Sequence, residues 1–285
     1  MVHPIIAKKE VTRYILTTFG LRAKKKLGQN LAVGEEVVNK IAAQAELKPE
    51  DTVLEIGPGI GTLTQALAET GATVKAVELD TNLIPVLAKT LEGYDNIHVV
   101  NADILKTDIK ALVGNKPFAL VANLPYYITT PIIFALLEQK LPLTKLVMMV
   151  QKEVAERLVA EPGSKDYGSL TIDLQYYMDT KIAIQVPASS FIPAPKVDSA
   201  VVVCTPRPKA LVKVKEEVFF PVVKAAFSVR RKMLSNALRN IGLNGEQVQA
   251  WLEEAGIDGK RRGETLTIQE YATLSNVYEK MFIKK

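Results

Sequence analysis

The chain has few of the residues that build disulfide frameworks and metal sites. It contains one cysteine, Cys204, and two histidines, His3 and His98. A single cysteine excludes an internal disulfide framework and a zinc site with several cysteine ligands. Two histidines give little basis for a histidine metal site or a histidine-based triad. We therefore expect no metal cofactor and a reducing compartment.

Long apolar runs are also missing. No run approaches the roughly 18 apolar residues that a membrane helix needs. Residues 1–20 mix lysine and glutamate with apolar residues and lack a signal peptide's apolar stretch. The 285 residues are 48% hydrophobic and 24% charged, ordinary values for a globular protein of one large or two modest domains. These features predict a cytoplasmic protein without a membrane partner.

Acidic residues are outnumbered at both ends of the chain. Residues 1–26 contain seven Lys/Arg and one acidic residue. Residues 206–285 contain fifteen Lys/Arg and nine acidic residues, so each end has a net charge of +6. Residues 27–205 carry −7. Basic ends suit a polyphosphate partner, although any single basic cluster is equally compatible with a solvated surface. The candidate phosphate ligands are Lys24, Lys25 and Lys26, then Arg230, Arg231 and Lys232, and finally Lys260, Arg261 and Arg262.

Residues 51–150 alternate between short β-rich runs and amphipathic stretches. The alternation predicts an α/β fold with a doubly wound, mostly parallel sheet. The predicted strands are Thr52–Ile56, Thr73–Glu78, Ile97–Asn101, Phe118–Ala122 and Leu146–Val150, with helices at Thr62–Thr70, Asn82–Leu91 and Pro131–Gln139. Two later β-like runs, Ile182–Val186 and Ala200–Cys204, are compatible with a hairpin at the edge of the sheet.

The composition changes at Pro206 and Pro208, two prolines that predict a linker. The pattern after them is helical, so we expect a first domain over residues 1–205 and a small all-α domain over residues 206–285. The predicted helices of the second domain are Glu216–Phe227, Lys232–Asn240, Glu246–Ala255 and Ile268–Met281.

A glycine turn follows the first predicted strand. Gly57, Gly59 and Gly61 permit unusual backbone dihedral angles and a close approach to a ligand. The dinucleotide fingerprint requires its third glycine one residue later, where this chain has Thr62. The turn therefore argues against a nicotinamide dehydrogenase.

Two acids follow the next two predicted strands. Glu78 ends the second strand, where a carboxylate can accept both hydroxyl hydrogens of a ribose. Asp103 follows the third strand and is well placed to accept from an adenine amino group. Each acid alone is also compatible with a solvated strand end. Together with the glycine turn they describe an adenosine pocket without a pyrophosphate clamp, which suits S-adenosylmethionine better than NAD.

Asn123, Leu124, Pro125 and Tyr126 follow the strand Phe118–Ala122, at the sheet edge where ligands bind. An exocyclic adenine amine is a poor nucleophile because its lone pair is delocalised into the ring. An Asn side-chain oxygen and a backbone carbonyl beside proline could accept its two hydrogens and direct the lone pair at a methyl sulfonium. Tyr126 could stack on a base turned out of its helix.

Two other reaction types, cytosine C5-methylation and ATP hydrolysis, fit the sequence poorly. A cytosine C5-methyltransferase needs a nucleophilic cysteine at the active edge, whereas Cys204 lies in an apolar predicted strand. No glycine-rich loop followed by Lys and Ser or Thr is present, which argues against ATP hydrolysis of that type.

With these residues identified, nearly the whole chain resembles the ribosomal RNA adenine N6,N6-dimethyltransferases, the KsgA family. The resemblance is carried by Lys26–Asn30, the glycine turn, Glu78–Asp80, Asn123–Tyr126, Phe191–Ser199 and Phe227–Lys232. The glycine turn is shared by many methyltransferases. The Phe-x-Pro-x-Pro-Lys-Val-Asp-Ser stretch with the downstream Arg-Arg-Lys is far more specific.

The resemblance implies a set of site residues. The cofactor contacts would be Asn30, Ala32, Gly57, Gly59, Glu78, Asp103 and Asn123. Ala32 stands where the family more often has leucine, so a backbone contact would survive and a side-chain contact would be weaker. Phe191 would be a second aromatic that holds the target adenine against Tyr126, although it could instead anchor its proline-rich loop in the core.

The resemblance also implies the substrate and partner. The family dimethylates two adjacent adenines in the 3′-terminal hairpin of small-subunit ribosomal RNA, using S-adenosylmethionine, so the partner would be the small ribosomal subunit. The basic ends would then hold RNA phosphates around an acidic catalytic body. Nothing in the sequence indicates an obligate dimer, so we expect a monomer. Two alternatives stay open: an Erm-type methyltransferase of large-subunit RNA, and a ribosome-assembly factor for which methylation is secondary.

Overall fold

The computed structural model describes residues 3–21, 34–124, 128–192, 194–229 and 231–283, and the backbone of residues 31–32. The chain forms two compact units. Unit 1 comprises Met1–Ala155 and Thr180–Pro206, and unit 2 comprises Glu156–Asp179 and Arg207–Lys285.

Unit 1 is built on a seven-stranded sheet. Its strands in chain order are β2 (Thr52–Ile56), β3 (Thr73–Glu78), β4 (Ile97–Asn101), β5 (Phe118–Asn123), β6 (Leu143–Gln151), β7 (Met178–Val186) and β9 (Ser199–Pro206). The spatial order is β4-β3-β2-β5-β6-β9-β7. The first five strands of that order are parallel, and β9 is antiparallel to β6. The predicted doubly wound, mostly parallel sheet is confirmed, with β7 and β9 adjacent at one edge.

A separate two-stranded ladder lies beside this sheet. Strands β1 (Leu31–Ala32) and β8 (Phe191–Ile192) are antiparallel, with Ala32 opposite Phe191. Such short strands leave no periodic signal in the sequence, and the sequence analysis did not predict them.

Helices accompany the strands of unit 1. They are α1 (Lys9–Thr18), α2 (Glu35–Gln44), α3 (Thr62–Ala68), α4 (Ile84–Thr90), α5 (Ile109–Val113) and α6 (Thr129–Glu138), followed by α7 (Lys152–Leu158) at the boundary between the units. The predicted helices α3, α4 and α6 are present within a few residues of their expected ends. None of the helices in the described residues is long and apolar enough to cross a membrane.

Unit 2 is built from helices packed around one apolar core. Its helices are α8 (Ser169–Tyr177), α9 (Glu216–Phe227), α10 (Leu234–Ala237), α11 (Gly245–Ala255) and α12 (Ile268–Tyr278). Trp251 of α11 is fully buried, and its indole N–H donates to the carbonyl of Leu274 at 2.8 Å. The C-terminal all-α region expected from the sequence is therefore present.

The two units do not divide the chain at a single point. The sequence division at residue 205 assigned residues 156–179 to the first domain, whereas they belong to unit 2. The reason is apolar packing, because Ile172 and Tyr176 of α8 are buried in the same core as Phe219 of α9. The rings of Tyr176 and Phe219 are 5.0 Å apart. A segment that leaves the sheet and returns to it cannot be recognised from a composition change at one linker.

Candidate functional site

The glycine turn joins β2 to α3 in a conformation that only glycine adopts easily. Gly57, Gly59 and Gly61 have φ angles of 72°, 62° and 93°. A Cβ atom at Gly61 would approach a methyl group of Leu91 to 2.9 Å. The turn is also fixed to the neighbouring strand, because the amide of Gly57 donates to the carbonyl of Val77 at 2.9 Å.

Glu78 ends β3 beside this turn, with its side chain buried. One carboxylate oxygen, Oε2, accepts from the amide of Gly59 at 3.1 Å, and Oε1 accepts from the amide of Asp80 at 2.7 Å. Burial raises the pKa of Glu78, while the two amide hydrogen bonds oppose that shift. Each oxygen has a second lone pair, so the carboxylate can still accept hydroxyl hydrogens from a ligand.

A second glutamate, Glu55, lies in the centre of β2 and was not among the predicted site residues. It is fully buried, and one of its oxygens has no hydrogen-bond partner in the described part of the chain. Its pKa is raised to about 8, mainly by burial; the Thr64 side chain opposes this shift and the nearby charge of Glu78 adds to it. Glu55 therefore carries a proton at neutral pH. An acid within an apolar strand is the signal that could have identified it.

Asp103 lies next to Glu78 in the fold because β3 and β4 are paired. Asn101 and Ala102, at the end of β4, both donate to the carbonyl of Glu78, at 2.8 and 3.0 Å. The Asp103 side chain accepts from the amide of Leu105 at 3.0 Å and so caps the short 3-10 helix that follows β4. The half-buried Asp103 thus has a structural role, and its carboxylate retains lone pairs for a ligand.

Two large apolar side chains lie beside these acids. Leu79 directly follows Glu78 and is 49% exposed, and Leu105 is 39% exposed. Neither leucine was among the predicted site residues, although Leu79 directly follows Glu78 and Leu105 lies two residues after Asp103. Their exposed surface would gain from contact with a flat apolar ring.

Asn123 ends β5, and its neighbour strand β2 leads directly into the glycine turn. The carbonyl oxygen of Asn123 lies 3.9 Å from the position that a Cβ of Gly57 would occupy. Leu124 is buried, and its amide donates to the carbonyl of Met149 at 3.1 Å. The fold therefore brings Asn123 and Leu124, the residues predicted to hold the target amine, close to the predicted cofactor turn. Pro125 and Tyr126 lie outside the described residues.

Comparison with known proteins decides the family. The profile of the family described as ribosomal RNA adenine dimethylase matches residues 20–280, most of this chain. The chain belongs to this dimethylase family. The expectation based on the sequence resemblance is thereby confirmed, and the protein is an enzyme of the rRNA adenine dimethylase type.

Named relatives and solved structures agree with this assignment. "Ribosomal RNA small subunit methyltransferase A" of Clostridioides difficile (strain 630) is 47% identical over 278 residues, 95% of this chain and 96% of the relative. A dimethyladenosine transferase from Plasmodium falciparum has a TM-score of 0.75 at 29% identity, over 88% of this chain and 98% of its own. The 23S rRNA methyltransferase ErmE has a TM-score of 0.68 at 30% identity. The match covers 87% of this chain and 99% of the ErmE chain. The predicted methyltransferase fold is confirmed.

Phe191, a predicted base-stacking residue of this dimethylase, lies in the core of unit 1. Only 3% of its surface is exposed, and it belongs to the same buried cluster as Val186 and Val203. The placement agrees with the anchoring role that the sequence analysis left open. The backbone of Phe191 also pairs with that of Ala32, a predicted cofactor residue, so these two positions are neighbours.

The predicted RNA-binding residues of the dimethylase divide into two groups. Lys24, Lys25, Lys26 and Arg230 lie outside the described residues, as does the predicted cofactor residue Asn30. Arg231 and Lys232 are exposed, just before α10 in unit 2. Both are therefore accessible to a phosphate backbone.

Arg261, in the third basic cluster, is engaged within unit 2. Its guanidinium makes two hydrogen bonds to the carboxylate of Glu270, at 2.5 and 3.1 Å, and one to the carbonyl of Thr265 at 2.7 Å. The ion pair lowers the pKa of Glu270 and raises that of Arg261. Arg261 is thus a structural residue rather than a free phosphate ligand.

Cys204 and the acidic side chains bear on two other kinds of site, a nucleophilic cysteine and a metal centre. Cys204 is buried in β9, and burial raises the pKa of its thiol to about 12. It therefore carries no thiolate for nucleophilic attack. Within the described ranges, no group of three or more His, Cys, Asp or Glu residues is arranged to hold a metal ion.

Proposed function

We propose that the enzyme transfers methyl groups from S-adenosylmethionine to N6 of two adjacent adenines in the 3′-terminal hairpin of small-subunit ribosomal RNA. The observation that carries the proposal is the position of the Asn123 carbonyl, 3.9 Å from where a Cβ of Gly57 would lie, because it puts the residues proposed to hold the target amine beside the turn proposed to hold the methyl donor. The 47% identity to a relative named for the small subunit supports this substrate.

The residues around the glycine turn fit S-adenosylmethionine. Glu78 would accept the ribose hydroxyls through its free lone pairs, and Asp103 would accept from the adenine amino group. Leu79 and Leu105 would cover the adenine ring. Among the described residues, apart from the chain neighbours of Gly57, only the Asn123 carbonyl lies within 4 Å of a Cβ position at Gly57, so this side of the turn would be open to a ligand. The family resemblance adds Asn30 and Ala32 to this set, together with the backbone of Gly59.

The cofactor supplies a methyl group on a cationic sulfur. The Asn123 side chain and the Leu124 carbonyl would accept the two hydrogens of the adenine amine and aim its lone pair at that methyl. When bound, the cofactor would supply its methyl group to N6, and the displaced N6 proton would be released to solvent. Tyr126 would stack on the flipped base, with Phe191 supporting the loop beside it.

RNA would be held by the basic ends of the chain. Lys24, Lys25 and Lys26 precede the cofactor residues, and Arg230, Arg231 and Lys232 lie in the C-terminal region. The catalytic domain expected over residues 1–205 would thus correspond to unit 1, and the RNA-binding domain expected over residues 206–285 would correspond to unit 2, which also includes residues 156–179. We further propose that the protein acts as a monomer in the cytoplasm, where it would meet the small subunit during assembly.

A second candidate function is methylation of large-subunit RNA. The likeness to ErmE, with 30% identity and a TM-score of 0.68, supports the same fold and chemistry on another substrate. A third is an assembly role in which RNA binding matters more than methylation. Glu78→Ala should abolish methylation, so rescue of a deletion strain by this variant would favour the assembly role.

The deciding experiment maps transferred methyl groups. Purified protein and methyl-labelled S-adenosylmethionine are incubated with unmethylated small subunits and, separately, with large-subunit RNA. We expect dimethyladenine in the small-subunit 3′ hairpin. Label in large-subunit RNA alone would favour the Erm-type function, and label in neither would contradict the proposed substrate.

A further inference from the structure

A buried glutamine helps to hold the first residues of the chain against α3. Gln65 of α3 accepts from the amide of Ile6 at 2.9 Å and donates to the carbonyl of Pro4 at 3.0 Å. It also donates to the hydroxyl of Tyr94 at 3.0 Å. The ring of His3 lies 4.6 Å from that of Tyr94. Residues 3–6 are therefore held in one position on the surface formed by α3 and the chain after α4.

Helix α1 continues from this attachment and buries one of its faces. Thr12 is fully buried, and its hydroxyl donates to the carbonyl of Ile6 at 2.7 Å. Ile15 belongs to the same apolar cluster as Leu87 of α4 and Ile60 of the glycine turn. The apolar face of α1 is thus buried within unit 1, close to the glycine turn of the candidate site.

The opposite face of α1 carries basic and aromatic side chains, together with the exposed Glu10. Lys9 and Arg13 are exposed and lie on the same side of the helix, four residues apart. Neither forms an ion pair with any carboxylate of the described residues. Tyr14, beside Arg13, is 70% exposed, a larger fraction than for any other large apolar residue that the structure describes as exposed. Glu10 is the only acid in residues 1–26.

We propose that Lys9, Arg13 and Tyr14, here called the α1 outer face, form a further RNA-binding surface. The two cations would neutralise neighbouring phosphates, and the Tyr14 ring would stack on an unpaired base. Basic side chains combined with an exposed aromatic ring are the usual means of holding single-stranded RNA. The inference rests on the proposed function, because it takes the RNA substrate as the partner.

The same observations disfavour a membrane as the partner of this helix. A helix that lies in a membrane surface inserts its apolar face between the lipids. In α1 that face is occupied by the packing of Thr12 and Ile15 in unit 1. The surface left to a partner is charged and aromatic, which matches RNA.

The test measures binding to unmethylated small subunits at several salt concentrations. Lys9→Ala/Arg13→Ala removes two phosphate contacts, so the slope of log affinity against log salt should fall by about 1.4. Tyr14→Ala should weaken binding about 10-fold, whereas Tyr14→Phe, which keeps the ring, should bind as the wild type does. All three side chains are exposed, so these variants should fold normally.

The matched control is Lys48→Ala/Lys116→Ala. Both lysines are exposed and precede strands β2 and β5, so they lie at the amino edge of the sheet, away from the candidate site. This double variant changes net charge equally but should retain the wild-type slope. If the α1 variants match this control while the wild type methylates small subunits, the α1 surface is refuted and the proposed function stands. A wild-type protein that binds no small subunits would overturn both.

Discussion

The amide of Gly59 donates a hydrogen bond of 3.1 Å to the carboxylate of Glu78. This contact joins two features that lie 19 residues apart, the glycine turn after β2 and the acid at the end of β3. Because the same carboxylate also accepts from Asp80, its position is determined by the backbone on both sides. A ligand that bonds to Glu78 would therefore lie beside the glycine turn.

Replacing Glu78 should remove cofactor binding. Glu78→Ala deletes the acceptor for two ligand hydroxyls, and hydrogen bonds to a charged group contribute enough that we expect roughly 100-fold weaker binding of S-adenosylmethionine. Titration calorimetry measures this directly. Glu92→Ala is the control, because Glu92 is an exposed acid paired with Lys89. Equal affinity in the two variants would contradict the assigned role.

Glu55 should make the stability of the protein fall as pH rises. Its folded pKa is about 8, above its ordinary value of 4.5, so between these pH values the folded state binds more protons than the unfolded state. The stabilising contribution is complete below pH 4.5 and is lost progressively up to pH 8. Glu55→Gln keeps a neutral side chain of the same shape and should remove this dependence.

Urea unfolding of the wild type and Glu55→Gln at two pH values tests this prediction. From about pH 5.5 to about pH 7.5, the free energy of unfolding of the wild type should fall by roughly 2 to 3 kcal/mol relative to the variant. Comparing the two proteins cancels the contribution of Asp173, whose pKa burial also raises, to about 7. Parallel pH profiles would show that Glu55 is ionised in the folded protein.

Gln65 should hold the N-terminal segment in place. Gln65→Leu removes the hydrogen bonds to Pro4 and Ile6, so trypsin should cleave after Lys9 and Arg13 faster than in the wild type. The matched control is Gln175→Leu in unit 2. Gln175 likewise donates to two backbone carbonyls, of Leu158 and Ala160, at 3.2 and 3.1 Å. Equal cleavage rates in both variants would mean that Gln65 is not needed for this attachment.

Phe191 should contribute to the stability of the fold more than to RNA binding. Phe191→Ala leaves a cavity in the core of unit 1 and should lower the free energy of unfolding by about 3–5 kcal/mol. Phe191→Leu, which fills most of the space, should lose much less. Chemical denaturation measures both. An alanine variant as stable as the wild type, with a raised KM for RNA, would instead favour the stacking role.

Arg261 and Arg231 should respond differently to substitution, although both come from basic clusters. Arg261→Ala breaks the ion pair with Glu270 and should lower the free energy of unfolding by about 1 kcal/mol, without changing the salt dependence of RNA binding. Arg231→Ala should leave stability unchanged and reduce the salt slope by about 0.7. Denaturation and salt titrations on both variants check this, and a reversed pattern would contradict it.

Much of the fold could be predicted from the sequence because it depends on local patterns. Strand β3 and helix α9 begin and end at the predicted residues, since apolar periodicity and terminal residues act within a few positions. The glycine turn and the residues Glu78 and Asn123 were identifiable for a related reason. Parallel strands place their carboxyl ends at one edge, so residues that end these strands come together.

Only the tertiary structure decided which of these side chains are buried and what they contact. The burial of Phe191, the protonated state of Glu55 and the pairing of Arg261 with Glu270 depend on neighbours brought together by folding. Gln65 reaches Ile6 across 59 residues, and no local pattern encodes such a contact. The sequence determined most strands of the large sheet, several of the helices and the residue types at the carboxyl ends of the strands. Packing determined which residues remain available to bind a ligand.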